Sequence, residues 1–532
     1  MSIIKASSLV GQTDKSWSYR LNYFTWNLVT TLVFLSFPPI LWAGHWEITP
    51  RLTVRETYVD NLFLTPDCDV ILTPNCEVSD FVTEINPGIS ITGESARLSF
   101  SLDYTLQNLF YTDSEFVLED GSKVSDSHAL NHDLYTTATG ELIEQAFFVD
   151  ALASVSQQST DFRSRSQFLR GLRDNVYIVN DPETGERARF DYTSYMISPY
   201  FLHHFGNVAE AELRFAYSKG SSDAGEVEER ESSDSQSQKY YAGIESGPRF
   251  SVFPWRLFYD RDEIEQGTSD IKLENILGEI EYVYDREFGL LGALGYENND
   301  FLSRFGSSEG VIWDVGFRWT PSTRTSLRAT YGQRFFGDRY FVDFAHRSRR
   351  TIFLARYTQE PYTTSELRLG EAAARGADIP IDPIIGSPIL DTGGLATLSD
   401  EVFVRELFSA GLVFTGRRNS VYFRGVDEQR DYQFSGDQQD ILGIEAQWTR
   451  RMSRITDLHL GAGWITLDDS PKPPTDREHR EDDFVYVDFG IEHRFGRHLT
   501  GEVSYRRIEQ LSIEEEDEFV DNRVMLGITM YY

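Results

Sequence analysis

The chain has 532 residues, a formal net charge of −34, 14% aromatic and only 40% hydrophobic residues, and a mean hydropathy of −0.38. So acidic a balance lacks the Lys/Arg clusters that neutralise phosphates, which excludes nucleic-acid binding. The 27 Tyr and 37 Phe exclude disorder, and they fit a barrel that is apolar outside, polar inside and aromatic at its rims.

At the amino terminus Lys5, Lys15 and Arg20 precede an apolar run from Leu28 to Ala43, interrupted by Pro38 and Pro39. The run is too short and too broken for a membrane helix, and residues 1–43 read as a signal peptide with a long basic region. Leu41 stands where a small residue is expected before the cut, which leaves the cleavage site and the start codon open. Residues 44–532 contain no Gly/Ser or Pro tract dividing them and read as one domain. Strand pattern starts at Trp46, which leaves no room for an amino-terminal plug and argues against an energised siderophore-type receptor.

Cys68 and Cys76 are the only cysteines and enclose a short loop with Pro74 and Asn75. An exported compartment permits a disulfide between them, with two free thiols as the alternative. Without a nearby His they make half a zinc site.

Period-two alternation runs from Trp46 to the end. It is clearest late in the chain. Val485, Val487, Phe489 and Ile491 alternate with Tyr486, Asp488, Gly490 and Glu492, and Leu442, Ile444, Ala446 and Trp448 with Glu445, Gln447 and Thr449. The connections alternate too. Short ones fall near residues 93–95, 143–145, 204–207, 286–288, 321–323, 347–349, 416–419, 452–454 and 496–497. Long polar ones fall near 65–80, 112–127, 160–186, 219–236, 262–269, 299–308, 360–400, 468–482 and 511–520. Outer-membrane barrels have short periplasmic turns and long external loops. Counted back from a periplasmic carboxy terminus, the short connections fall inside and the long ones outside, and only Gly337-Asp338 is tight on the outer side. This predicts an all-β, single, up-and-down antiparallel transmembrane barrel of about 22 strands, within a range of 18 to 22. A β-propeller needs a repeated blade motif, which is absent.

Charge is sorted by side. Outer loops hold Asp223, Glu226, Glu228, Glu229, Glu231 and Asp234, then five consecutive acids from Glu514 to Glu518. Periplasmic turns hold Arg347, Arg349, Arg350, Arg417, Arg418, Arg451, Arg454 and Arg497. The acidic loops read as solvated surface or as weak hard-oxygen sites for Ca²⁺ or Mg²⁺. No cofactor is expected. The loop from Pro361 to Asp400 is odd, with Ile379, Ile381, Ile384, Ile385, Ile389 and Leu390 among three prolines. So apolar a segment is expected to fold into the lumen, lie over the mouth or dock a partner.

If the apolar faces meet lipid, the lumen receives Arg424, Glu445, Asp457, His459, Asp488, Glu492, Arg494, Glu502 and Arg506. Such residues serve either as ion-paired ladders bracing a wide barrel or as charged rings that select solutes. Catalytic motifs are absent: no nucleophile elbow, no phosphate-cradling Gly-rich loop and no His-Glu-x-x-His. The nearest candidate for a rim acid–base pair is His128 beside Asp126 and Asp133, and the chain is not expected to be an enzyme.

The last strand, Arg523 to Tyr532, carries Val524, Leu526, Ile528, Met530 and Tyr532 on one face. Its aromatic last residue, with Met530 two before it and Gly527 five before it, resembles the carboxy-terminal signal by which outer-membrane barrels are recognised for insertion. Residues 46–50 (Trp-Glu-Ile-Thr-Pro), 56–64 (Glu-Thr-Tyr-Val-Asp-Asn-Leu-Phe-Leu), 84–88 (Glu-Ile-Asn-Pro-Gly), 331–337 (Tyr-Gly-Gln-Arg-Phe-Phe-Gly) and 347–350 (Arg-Ser-Arg-Arg) carry a wider likeness. Together they resemble the PEP-CTERM system-associated outer-membrane β-barrel family over nearly all of the mature chain. That resemblance implies a Gram-negative outer membrane, barrel-assembly machinery and export partners, and a role in export or assembly of surface polysaccharide. It brings no catalytic residues. Two functions follow as expectations: a channel or assembly component for exopolysaccharide or another hydrophilic solute, or a non-conducting structural or binding barrel whose acidic loops engage cations, matrix or a partner.

Overall fold

The computed structural model describes residues 44–66, 78–112, 115–117, 123–125, 127–159, 176–177, 189–222, 234–267, 269–304, 306–367, 369, 401–472, 479–513 and 517–532. Residues 1–43, where a signal peptide is expected, Cys68 and Cys76, and the isoleucine-rich part of the long loop lie outside these residues.

The chain begins with β1 (Gly44–Val59), β2 (Asp80–Ser95) and β3 (Leu98–Tyr111), then a small external hairpin of β4 (Glu115–Val117) and β5 (Lys123–Ser125). β6 (His128–Ile143), β7 (Phe147–Ser159), β8 (Arg189–His204), β9 (Ala209–Ser222), β10 (Ser235–Ser246), β11 (Trp255–Gln266) and β12 (Ser269–Val283) follow. Next come β13 (Phe288–Asn298), β14 (Glu309–Ser322), β15 (Thr325–Arg334), β16 (Gly337–Arg347), β17 (Thr351–Tyr362) and β18 (Phe403–Thr415). The series ends with β19 (Asn419–Tyr432), β20 (Gln438–Arg451), β21 (Thr456–Ser470), β22 (Arg480–Arg494), β23 (Leu499–Ser512) and β24 (Phe519–Tyr531). All except the β4–β5 hairpin form one sheet of 22 antiparallel strands.

The sheet closes on itself because β1 pairs with both β2 and β24, the latter from Arg51↔Tyr531 to Val59↔Arg523. Closure leaves no open edge, which is the condition for a sheet to cross lipid. The outward set is apolar over the membrane: Val524, Leu526 and Ile528 on β24, Val503 and Tyr505 on β23, Leu442 and Ile444 on β20 are all exposed. Aromatic rings pair across adjacent strands on this face, with centroids 5.1 Å apart for Tyr58 and Phe81 and 5.3 Å for Tyr331 and Tyr340. Strands of 14 to 16 residues such as β1, β20 and β22 exceed the roughly 9–11 needed to span a bilayer. Their outer ends therefore stand clear of the membrane. There the exterior turns polar, as where the Tyr259 hydroxyl donates to Glu274 at 2.6 Å.

The ten periplasmic connections are short, and the termini of the described chain lie on that side. The outer side departs from expectation in four places. The predicted long stretch at 262–269 is absorbed by β11 and β12, whose ladder runs to Gln266↔Ser269 through Gly267 at φ 55°. The tight connection expected at Gly337-Asp338 is residues 335–336, because Arg334↔Gly337 already pair. Residues 433–437 form a third tight outer turn. The long loop starts at 363 and not at 360, since Glu360 to Tyr362 pair with β18.

At the seam, the Tyr531 amide donates to the His498 carbonyl and the Tyr532 amide to the Pro50 carbonyl, each at 2.9 Å. Met530 lies on the outward face, Tyr532 is exposed, and Gly527 faces inward beside the stem of Arg55. Replacement Tyr532→Ser, or a short polar extension beyond it, is expected to reduce the heat-modifiable folded band in outer-membrane fractions several-fold. Full assembly of both variants would remove the signal reading.

Candidate functional site: the charged lumen

Alternation sends one residue in two to the inside, and the nine lumen residues inferred from sequence all lie on inward faces of five adjacent strands, β19 to β23. Arg424 and Glu445 meet directly: the Arg424 Nε donates to Glu445 Oε2 at 3.1 Å, and both side chains are nearly inaccessible. The Gln447 amide donates to the other Glu445 oxygen at 2.8 Å. Arg494 pairs with Asp457 at 2.8 Å. Asp488 and Arg506 stand opposite in register, as do Glu492 and Glu502, which form no ion pair. His459 lies flat over Gly490, and Asp488 over Gly461, where a β-carbon would collide with them. Side chains laid along the wall in this way keep the bore clear.

Sequence reasoning found one panel of a circuit that continues round the wall. Arg51 donates to both Asp103 oxygens at 2.7 and 2.5 Å. Arg214 reaches Asp150 at 2.8 Å and Glu212 at 2.6 Å, with its guanidinium 3.9 Å over the Tyr200 ring. Lys239 lies 3.4 Å from Asp260, Arg318 2.7 Å from Glu281, and Arg339 2.9 Å from Asp314. Arg334 pairs with Glu297 at 2.9 Å, and both Arg334 and Arg339 bond to Glu360. Arg405 and the inaccessible Arg430 share Glu428 at 2.7 and 2.6 Å. Some of these residues sit between outward apolar neighbours that mark them as inward, as Asp314 does between Trp313 and Val315 and Arg214 between Leu213 and Phe215, whereas Glu428 and Arg430 have polar neighbours on both sides and give no such signal.

Among the described residues, loop segments pack into the outer part of the lumen. Leu62, Phe63 and Leu64 are fully buried with Val176 and Tyr177 against Val82, Leu109, Ile465, Phe484 and Ile508. Leu64 adopts φ 53°, a conformation that costs an L-residue roughly 1–2 kcal/mol. Burial of three large side chains, at roughly 1.5–3 kcal/mol each, outweighs that cost. Asn61 closes the turn, donating to the Thr65 carbonyl at 2.6 Å and accepting from the Thr65 amide at 3.0 Å. The Tyr177 hydroxyl donates to Asp521, and Arg523 lies 5.2 Å over its ring.

The first residues of the long loop also enter the lumen. Thr363 and Glu366 form a capping box, in which Glu366 Oε2 accepts from the Thr363 amide at 3.0 Å. The turn it starts buries Leu367 against Phe403 and Tyr432. Beside it lies a cavity of 340 Å³, lined by Leu152, Met196, Tyr362, Lys239, Asp262 and Glu366 among others. The sequence-stretch of isoleucines was the only cue to an inward loop. Among the described residues, 61–65 and 363–367 enter the lumen, and the isoleucine-rich stretch lies outside them.

His128 does not form a rim site. It lies on the outward face, its ring 4.8 Å from Phe110, whereas Asp133 is on the inward face of the same strand; Asp126 lies outside the described residues. Among the described residues, no three His, Cys, Asp or Glu side chains converge to hold a metal ion.

A closed 22-stranded sheet with an apolar exterior, aromatic rims and short turns on one side has one fitting solvent. The chain is an outer-membrane β-barrel. Its structure is similar to that of the FrpB iron transporter from Neisseria meningitidis (F3-3 variant), with a TM-score of 0.51, 10% identity, and coverage of 91% of this chain and 81% of that one. It is also similar to the siderophore receptor PirA from Acinetobacter baumannii, with a TM-score of 0.49, 7% identity, and coverage of 91% and 80%. At such identity the likeness is one of fold. No family model and no curated protein matches the chain.

Two predictions follow from the wall and the strap. Glu445→Ala removes the carboxylate partner of a buried guanidinium and is expected to lower stability by about 3–5 kcal/mol in urea-dependent folding into lipid vesicles. The double variant Arg424→Met/Glu445→Leu should recover most of that loss, and an equal loss in both would refute a pair-specific role. Burial first, and the nearby Asp262 second, push the Glu366 carboxyl up to about 7, against the pull of Lys239 and the Thr363 hydrogen bonds. Asp260 and Tyr362 complete its charged surroundings. The docked turn thus holds a proton that a solvated carboxyl, at its ordinary 4.5, has lost. Seating is therefore firmest below that value and weakens as pH rises towards about 7. Amide exchange at Thr363–Leu367, corrected for intrinsic rates, should accelerate over this window in the natural chain and stay flat in Glu366→Gln.

Proposed function

We propose that the barrel is a gated conduit for uncharged or weakly charged hydrophilic polymers, with surface polysaccharide as the leading cargo. The supporting observation is the periplasmic half of the bore. Its wall carries Glu245, Arg256, Glu279, Glu281, Arg328 and Arg339 round an open recess of 440 Å³, a surface that holds water. Its bases stand close to acids, so the bore presents no strong field of one sign. A paired wall selects against neither sign and suits a hydroxyl-rich solute better than an ion. The resemblance to PEP-CTERM-associated barrels points the same way. The likeness to FrpB is one of fold and brings no cargo with it.

The apolar cluster of Leu62, Phe63, Leu64, Val176 and Tyr177 favours a second reading, a non-conducting barrel that binds at its outer surface. Planar-bilayer recordings separate the two. Phe63→Ser/Tyr177→Ala is expected to open a conducting pore where the natural chain is closed or flickers, and liposomes carrying it should swell in small oligosaccharides. A barrel that folds and stays silent with the cluster removed would overturn the conduit reading and leave the second.

A further inference from the structure

Five consecutive periplasmic connections, from β14–β15 to β22–β23, each carry arginine and contain no Asp or Glu. They present Arg324, the pairs Arg349–Arg350 and Arg417–Arg418, Arg454 and Arg497, all exposed. Among the described residues, none of these side chains makes a hydrogen bond or an ion pair. Of the other five periplasmic connections, β10–β11 carries Arg249, also exposed and without an acid, but stands apart from the run beyond the acidic β12–β13 turn, and the remaining four differ in kind. There Arg97 bonds to Glu144 at 3.0 Å, His204 to Glu210 at 2.7 Å, and Arg286 sits between Asp285 and Glu287. In a chain of net charge −34, half of one rim has shed its acids and kept its bases unpaired.

Successive turns lie two strands apart, roughly 10 Å, so the five span roughly 40 Å of rim. That is the width of an ordinary protein–protein contact. Neighbouring turns are separated by about one Debye length, so their fields overlap. Guanidinium forks on such an arc match carboxylates by bidentate contact.

We propose that this arc docks an acidic face of a periplasmic protein, seated off-centre beneath the β14–β23 side of the barrel. The one-sidedness selects the partner. Lipid headgroups surround the whole circumference and would be met on all sides. A polyanionic saccharide in transit would be met along the bore, where the arginines are already paired. A folded partner with one acidic face needs one basic arc. The inference does not depend on whether the lumen conducts.

The test uses the full barrel in nanodiscs of neutral lipid. Poly-L-glutamate is the acidic-polypeptide probe, with phosphatidylglycerol vesicles and polygalacturonate as rivals. Arg349→Glu/Arg350→Glu/Arg417→Glu/Arg418→Glu should weaken poly-L-glutamate binding at least about tenfold and flatten its salt dependence. Reversal at Arg97 and Arg286 should change it less than about twofold. Should the quadruple reversal fail to assemble, the four Arg→Gln changes report in the same direction. In cells, a photo-crosslinker at Ser453 should trap a peptide rich in Asp and Glu, and one at Gln145 should not. Tighter binding of either rival probe, equal loss on the control side, or lipid as the Ser453 adduct would each overturn the proposal.

Discussion

Everything in this molecule depends on the pairing of β1 with β24. In hydrocarbon an unpaired N–H or C=O has no water to bond, so a sheet is stable there only if its first and last strands meet. The seam from Arg51↔Tyr531 to Val59↔Arg523 supplies that contact, and the Tyr532 amide ends it on the Pro50 carbonyl. Once closure is imposed, strand number sets the width. Twenty-two strands enclose a bore far wider than side chains alone can fill.

The wide bore explains the interior. A polar wall facing a large lumen is stable if its charges find partners, and here they find them on nearby strands, as Arg424 does with Glu445 on the adjacent strand and Arg318 with Glu281 across the intervening β13. These pairs tie strand to strand across the ladder and orient side chains along the wall. The glycines opposite His459 and Asp488 serve the same end by leaving room for a neighbour to lie flat. The outer bore is treated differently. There Leu62–Leu64, Val176 and Tyr177 build an apolar cluster from loop residues, strong enough to hold Leu64 in a left-handed conformation. A charged lower chamber thus lies beneath an apolar cluster to which loop residues contribute.

Barrel architecture was legible because lipid and lumen impose opposite demands on alternate residues of every strand. Val485, Val487 and Phe489 against Tyr486 and Asp488 state both demands within five positions. By the same alternation the nine residues on β19–β23 fall on the faces opposite exposed apolar residues such as Phe423, Ile444, Leu460, Phe489 and Val503. The errors came where strands outrun the membrane. At 262–269 the outward face is charged because it stands above the lipid, and a polar strand end there looks like a loop.

The sequence by itself determined the fold class, the sidedness of the connections and the alternation of faces along the clearest strands, because a two-residue period in a two-solvent environment is local information. Tertiary structure alone decided which charges meet, since partners such as Arg339 and Glu360 lie on strands whose register depends on the turns between them. It alone decided that residues 61–65, 176–177 and 363–367 enter the lumen. Loop burial depends on the space left by a closed wall, and that space does not exist until β1 has met β24.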